Sequence, residues 1–127
     1  MSATGIQQAA TVIAKTTQTA IGGDIGTENA EFVQMFFDYT KGDETGVIIK
    51  AYAHRTLNGT NHQYILWSES SGVYTAEDED VKLTATGSYV RQYDVSGIDY
   101  IFFTQGGSNN DGTPTGTLAV SYTLSGE

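Results

Sequence analysis

Two histidines, His54 and His62, are the chain's imidazoles, and they flank an Asn58-Gly59 dipeptide. Metal binding or acid–base chemistry shared between them requires both rings on one side of a strand ladder. Asn-Gly between apolar alternations is a strong two-residue hairpin signal. In that register Leu57 pairs with Thr60, His54 faces Gln63 and His62 faces Arg55. Successive side chains alternate in face, so the two rings point to opposite sides. They make a poor metal pair, and the plainer expectation is two satisfied surface or edge residues.

Other groups offer oxygen ligands. Glu77-Asp78-Glu79-Asp80 is a carboxylate run, and calcium takes such ligands. Adjacent like charges more often mark a solvated loop. Residues Ser108-Asn109-Asn110-Asp111-Gly112 are also oxygen-rich, but they lack the spaced acidic pattern and distal glutamate of a calcium loop. No Gly-x-Ser-x-Gly elbow, phosphate loop or dinucleotide fingerprint is present. Asn58-Gly59-Thr60 fits the glycosylation pattern, yet the turn explains those residues without it. The expectation is a chain with no catalytic residues, no cofactor and no metal site.

The bulk of the sequence agrees. Its 127 residues fit one domain, which can bury a core without staples. Cysteine is absent, so disulfides and thiolate metal sites are excluded. Fifteen acidic against six basic side chains give a net charge of -9, which disfavours nucleic acid and anionic membranes as partners. The first residues have neither a basic region nor a long apolar run, so use without Sec export is expected.

Thr, Val, Ile, Tyr and Phe dominate while glycines punctuate, which favours strands over helices. About eight strands are expected, near residues 11–21, 31–39, 46–57, 62–69, 81–86, 89–95, 99–105 and 117–124. Short strands with regular turns predict a single-domain all-β sandwich of jelly-roll type. Residues 1–10 form either an N-terminal arm or a lead-in to the first strand, and 11–127 form the sandwich. Val33, Met35, Phe37 and Tyr39 should face inward, as should Leu118, Val120, Tyr122 and Leu124.

The hairpin is apolar on both sides. Val47, Ile49, Ala51 and Ala53 read as core. On the other face Tyr52 lies opposite Ile65, and Lys50 opposite Trp67, with Ile48 nearby. Either another segment of the chain or a partner protein must cover that face. Ile48, Tyr52, Ile65 and Trp67 are therefore the candidate protein interface, with Tyr52 and Trp67 as aromatic anchors.

The Thr-rich, Gly-punctuated stretch from Val81 to Leu124 (Val81-Lys-Leu-Thr-Ala-Thr-Gly-Ser-Tyr89, Asp99-Tyr-Ile-Phe-Phe-Thr-Gln-Gly-Gly107, Gly116-Thr-Leu-Ala-Val-Ser-Tyr122) resembles the small β-sandwich structural proteins of tailed bacteriophages. Among these it looks most like capsid decoration, or cement, proteins. The resemblance covers about the last third of the chain and transfers no residue role. It implies a non-enzymatic virion protein, trimeric or otherwise homo-oligomeric. Such a protein is made in the host cytoplasm, then binds the major capsid protein on the outer shell. A carbohydrate- or receptor-binding module and a head–tail connector or tail component are the rival readings.

Overall fold

Alternation in residues 32–40 places Val33, Met35, Phe37 and Tyr39 on one side of a strand, and all four are buried. In the computed structural model this strand is central to a sheet. The structure describes residues 2–14, 17–78, 80–107 and 113–126, with backbone alone at 2–3, 66–70 and 74–78. Twelve strand segments are present among them. They are β1 (Ser2–Val12), β2 (Thr19–Ala20), β3 (Ile25–Gly26), β4 (Phe32–Thr40), β5 (Val47–His54) and β6 (His62–Gln63). The rest are β7 (Ile65–Ser70), β8 (Val73–Asp78), β9 (Val81–Leu83), β10 (Gly87–Asp94), β11 (Tyr100–Gly107) and β12 (Thr117–Ser125).

One sheet runs β1-β12-β4-β10. The second runs β2-β11-β5-β6, with β3 continuing beside β11 and β9 beside β5. Segments β2 and β3 thus act as one interrupted strand, and so do β6 and β9. Counted that way the two sheets hold eight strands, with the β7–β8 pair standing outside them. The first pairs the eighth, the second the seventh, the third the sixth and the fourth the fifth. A long hairpin rolled up on itself gives that order, which is the jelly roll expected from the sequence.

The core lies between the sheets. Val33, Phe37, Leu118 and Val120 from one side meet Val47, Ile49, Ile101 and Phe103 from the other. Tyr93 of β10 packs edge-on to Phe103, with ring centroids 5.3 Å apart. Burying each such side chain stabilises the fold by about 1.5–3 kcal/mol.

Three expectations are corrected. The first concerns residues 11–21, which are not one strand. The chain leaves the first sheet after Val12, and Ile13 N–H donates to Gly116 O at 3.0 Å. Ala14 N–H donates to the buried Gln105 Oε1 at 3.0 Å, which turns the chain across to the second sheet. The strand-like residue types run on without a break from 11 to 21, so the sequence pattern did not show it.

The second concerns the hairpin register, which differs from the two-residue turn. Tyr52 pairs with Gln63 and Ala53 with His62, so residues 55–61 form a longer loop. Asn58 does adopt a left-handed conformation (φ 56°). Its N–H, however, donates to Asp24 Oδ2 at 2.8 Å, and Gly59 N–H donates to Thr56 O at 2.9 Å. The loop is pinned to a distant segment rather than closed as a tight turn. A slip of two residues preserves faces, so Val47, Ile49 and Ala51 are still buried.

The third is that the strand beside β5 does not continue past Tyr64. Ile65 does not oppose Tyr52, and Trp67 does not oppose Lys50. The chain leaves the sheet as the β7–β8 ribbon and returns at β9, where Ile49 pairs with Val81 and Ile48 with Lys82.

Candidate interaction surface

The ribbon has a fixed base. Tyr64 N–H donates to Ala51 O at 3.0 Å, holding its start to β5. The Tyr64 hydroxyl reaches across to the other sheet and donates to Asp94 O at 2.8 Å. Its ring packs edge-on to Tyr93, with centroids 5.3 Å apart. On the return strand, Asp80 sits 3.9 Å from Lys50. Beyond that base, β7 and β8 pair with each other and, among the described residues, with neither sheet. Six residues at about 3.4 Å each give an arm of roughly 20 Å. The backbone register puts Ile65, Trp67 and Glu69 on one face with Asp78, Ala76 and Tyr74. The tip residue Val73 is 62% exposed.

The four candidate interface residues therefore belong to two elements. Ile48 and Tyr52 are half-buried on the outer face of β5, flanking the point where the ribbon departs. Ile65 is half-buried at the ribbon's root, and the side chain of Trp67 lies outside the described residues. Parts of the carboxylate run (Glu77 and Asp78 side chains, Glu79) and all of 108–112 lie outside them too. Residues 1–10, expected as an arm or a lead-in to the first strand, run from Ser2 onward in β1 along β12 of the same chain.

Sequence reasoning missed a second apolar surface. Cross-strand pairing aligns Ile6, Ser121, Phe36 and Val90 in one row across the outside of the first sheet. Ile6 is 81% exposed, Phe36 40% and Val90 61%. The alternation had already put Phe36 on the outer face. The row itself emerges only when the strand order brings Ile6 and Val90 into line with it.

Two polar clusters tie loops to the sheets. His54 is buried, stacked on Phe102 at 5.0 Å, and lies between two acceptors. Its Nδ1 is 3.0 Å from Asp24 Oδ2, and its Nε2 is 2.6 Å from Asn61 Oδ1. Burial by itself lowers the imidazole, but the bonds to Asp24 and Asn61 and the Asp24 charge outweigh it. They hold the group above its ordinary 6.5. The protonated ring donates to both neighbours and so staples loop 55–61 to the segment before β3. This stabilisation is complete below about pH 6.5 and is lost as pH rises through the higher folded value. Unfolding free energy should fall as pH rises from about 6.5 through the folded value in the native chain and stay flat over that range in His54→Gln. Parallel slopes for the two proteins contradict the staple. His62 is exposed and faces away, as the sequence suggested.

Glu44 is the second anchor. It is 2% exposed, and four donors surround its carboxylate. Oε2 accepts from Tyr39 Oη at 2.5 Å and Gly42 N–H at 3.0 Å. Oε1 accepts from Gly116 N–H at 2.9 Å and Thr115 N–H at 3.2 Å. Burial alone raises this carboxyl, but the bonds from Gly42, Tyr39 and Gly116 outweigh it and hold it down at about 2. Burial also pushes the Tyr39 phenol up, and the neighbouring carboxylate adds to that. All four bonds are made within the fold, so the group is a clamp between the β4–β5 turn and the lead into β12.

A cleft of about 610 Å³ lies beside loop 55–61, lined by Glu28, Arg55, Leu57, Asp99 and Tyr100 among others. Glu28 and Asp99 are both exposed. Among the described residues no group of three or more His, Asp or Glu is placed to hold a metal ion. None of them forms a helix long and apolar enough to cross a membrane.

No protein-family model and no curated protein sequence matches the chain. Solved structures do share its fold. The SPBc2 prophage-derived protein YomS is 14% identical over 98% of this chain and 92% of that one, with a TM-score of 0.55. A protein of the Bacillus endospore appendages, which form a family of disulfide-linked pili, is 12% identical over 100% of this chain and 88% of that one, with a TM-score of 0.53.

Proposed function

We propose that this chain is a non-enzymatic virion structural protein that binds the outside of a bacteriophage capsid and stabilises it as a decoration protein. The observation that carries the reading is the β7–β8 ribbon. A two-stranded ribbon standing alone in water is marginal, and this one has the sequence of an interface rather than of a solvated loop. Ile65, Trp67, Ala76 and Tyr74 share one of its faces with Glu69 and Asp78. Docking on a partner covers that face. Ile48 and Tyr52 extend the contact at the arm's base. The partner is the major capsid protein, and the anchored base formed by Tyr64 fixes the direction in which the arm meets it.

Other features support the reading. The ionisable clusters around Glu44 and His54 are consumed in holding loops, which suits a bracing element. The fold is shared with a prophage-derived protein. Electron microscopy of particles with and without the protein tests the proposal. Density repeated over the whole shell lattice is expected, with the ribbon at the contact. A single ring at one vertex would assign the chain to the tail or connector instead, and no density on particles would remove it from the virion.

A further inference from the structure

The geometry points to self-association through the outer edge of β10, two copies adding strand to strand so that their four-stranded sheets join. In its own sheet β10 has one neighbour, β4. All eight residues Gly87–Asp94 pair with β4 in unbroken register. The strand is therefore regular, and its second row of N–H and C=O groups faces away from the sheet. The opposite border strand, β1, differs. Its pairing with β12 is interrupted by register shifts at Ile6/Gln8 and Gln8/Thr11. Irregularities of that kind turn an edge away from strand addition, as do prolines. β10 has neither, and its only glycine is its first residue.

Two copies related by a two-fold axis pair antiparallel, and one centre fits best. With the axis at Val90, Val90 meets Val90 of the second copy. Tyr89 then meets Arg91, Ser88 meets Gln92 and Gly87 meets Tyr93 of that copy. The match ends where it should, because the Asp94 carbonyl is taken by the Tyr64 hydroxyl. A centre at Arg91 sets two guanidinium groups side by side. A centre at Gln92 sets Val90 against Asp94. The Val90 centre instead places each Arg91 beside a phenol and leaves both Asp94 carboxylates outside the paired segment.

The outer face makes the same choice. The row Ile6, Ser121, Phe36 and Val90 ends at the β10 edge with Val90 61% exposed. Joining at Val90 runs that row on into the row of the second copy. An unrelated strand matches the backbone but not this row, so the occupant is a second copy of the chain. Each copy carries a charge of -9, so repulsion opposes the pairing and screening relieves it. Association should strengthen from low to moderate salt. This pairing goes beyond the shell reading and does not depend on it, since the ribbon is a different element.

The chain has no cysteine, so Val90→Cys and Gln92→Cys each introduce a single thiol. Under mild oxidation the full chain carrying Val90→Cys should form a disulfide dimer, while Gln92→Cys, facing Ser88 across the axis, should stay monomeric. Val90→Lys alters only an exposed position. By sedimentation velocity it should weaken the native dimer roughly tenfold or more by setting like charges opposite each other, with thermal melting of the fold unchanged. A native chain that stays monomeric at every concentration overturns the proposal. So does a dimer indifferent to Val90→Lys, or cross-linking of Gln92→Cys in place of Val90→Cys.

Discussion

Replacing Glu44 by glutamine is expected to cost about 3 kcal/mol of stability at neutral pH, among the largest single effects available in this chain. The carboxyl sits near 2 in the folded protein against an ordinary 4.5, and each unit of that difference is worth about 1.4 kcal/mol. The sign follows from the lowering. The contribution is complete above about pH 4.5 and drains away as pH falls toward 2. Urea unfolding at descending pH should show this slope in the native chain and much less of it in Glu44→Gln. Alanine should cost more, because it leaves the Gly42, Thr115 and Gly116 N–H groups and the Tyr39 hydroxyl without their acceptor around a buried side chain. The surrounding glycines are part of the same clamp. A Cβ added at Gly116 would lie 2.1 Å from Glu44 Oε2, and one at Gly42 would lie 2.2 Å from Thr115 Oγ1. Gly116→Ala should therefore approach the loss seen for Glu44→Ala. A Glu44→Gln protein that unfolds within 1 kcal/mol of the native one would show that the carboxylate charge is not what holds the clamp.

Excising the ribbon is expected to abolish shell binding and leave the sandwich intact. The cut should keep Tyr64 and Val81, since Tyr64 bridges β5 and β10 while Val81 opens β9. Joining Ile65 to Asp78 through Asn-Gly preserves both. Trp67→Ala is the finer test. A buried aromatic anchor at a protein interface is worth about 2 kcal/mol or more, so binding per folded molecule should drop by at least tenfold with little change in melting. If melting collapses while binding per folded molecule holds, Trp67 belongs to the core and the contact lies elsewhere. If excision leaves attachment intact, the ribbon is not the contact.

Alternation carried most of the fold. It placed Val33, Met35, Phe37 and Tyr39 inside, along with Leu118 and Val120, because a strand with one buried face must repeat every second residue. What it could not carry were events that leave alternation unchanged. The crossing after Ile13 leaves no mark on the sequence pattern, and only the partners of Ile13 and Ala14, namely Gly116 and Gln105, show that the sheet has changed. The Asn58-Gly59 dipeptide was informative about backbone conformation and misleading about loop length, since the bond that shapes the loop goes to Asp24, far away in sequence. Glu44 looked like one more polar turn residue beside Asp43. Nothing local distinguishes the exposed acid from the buried one, because the donors that bury it come partly from Thr115 and Gly116. Of the candidate interface residues, Ile48 and Tyr52 lie half-buried on the outer face of β5. The departure of residues 65–78 from the sheet was hidden, since a continuing strand and a projecting arm have the same local sequence.

The pairing of β1 with β12 reaches past the stability of the finished molecule to the order of its making. The first strand's neighbour in the sheet is the last one, so during synthesis the N-terminal segment waits, unpaired, while the rest of the domain emerges. Nothing shorter than nearly the whole sequence can close the first sheet. Assembly is then a single late event dominated by contacts between distant parts of the chain, a pattern associated with folding over milliseconds to seconds rather than microseconds. A ribosome-bound fragment ending before Thr117 should remain open to protease, and addition of the final strand should protect the whole domain at once.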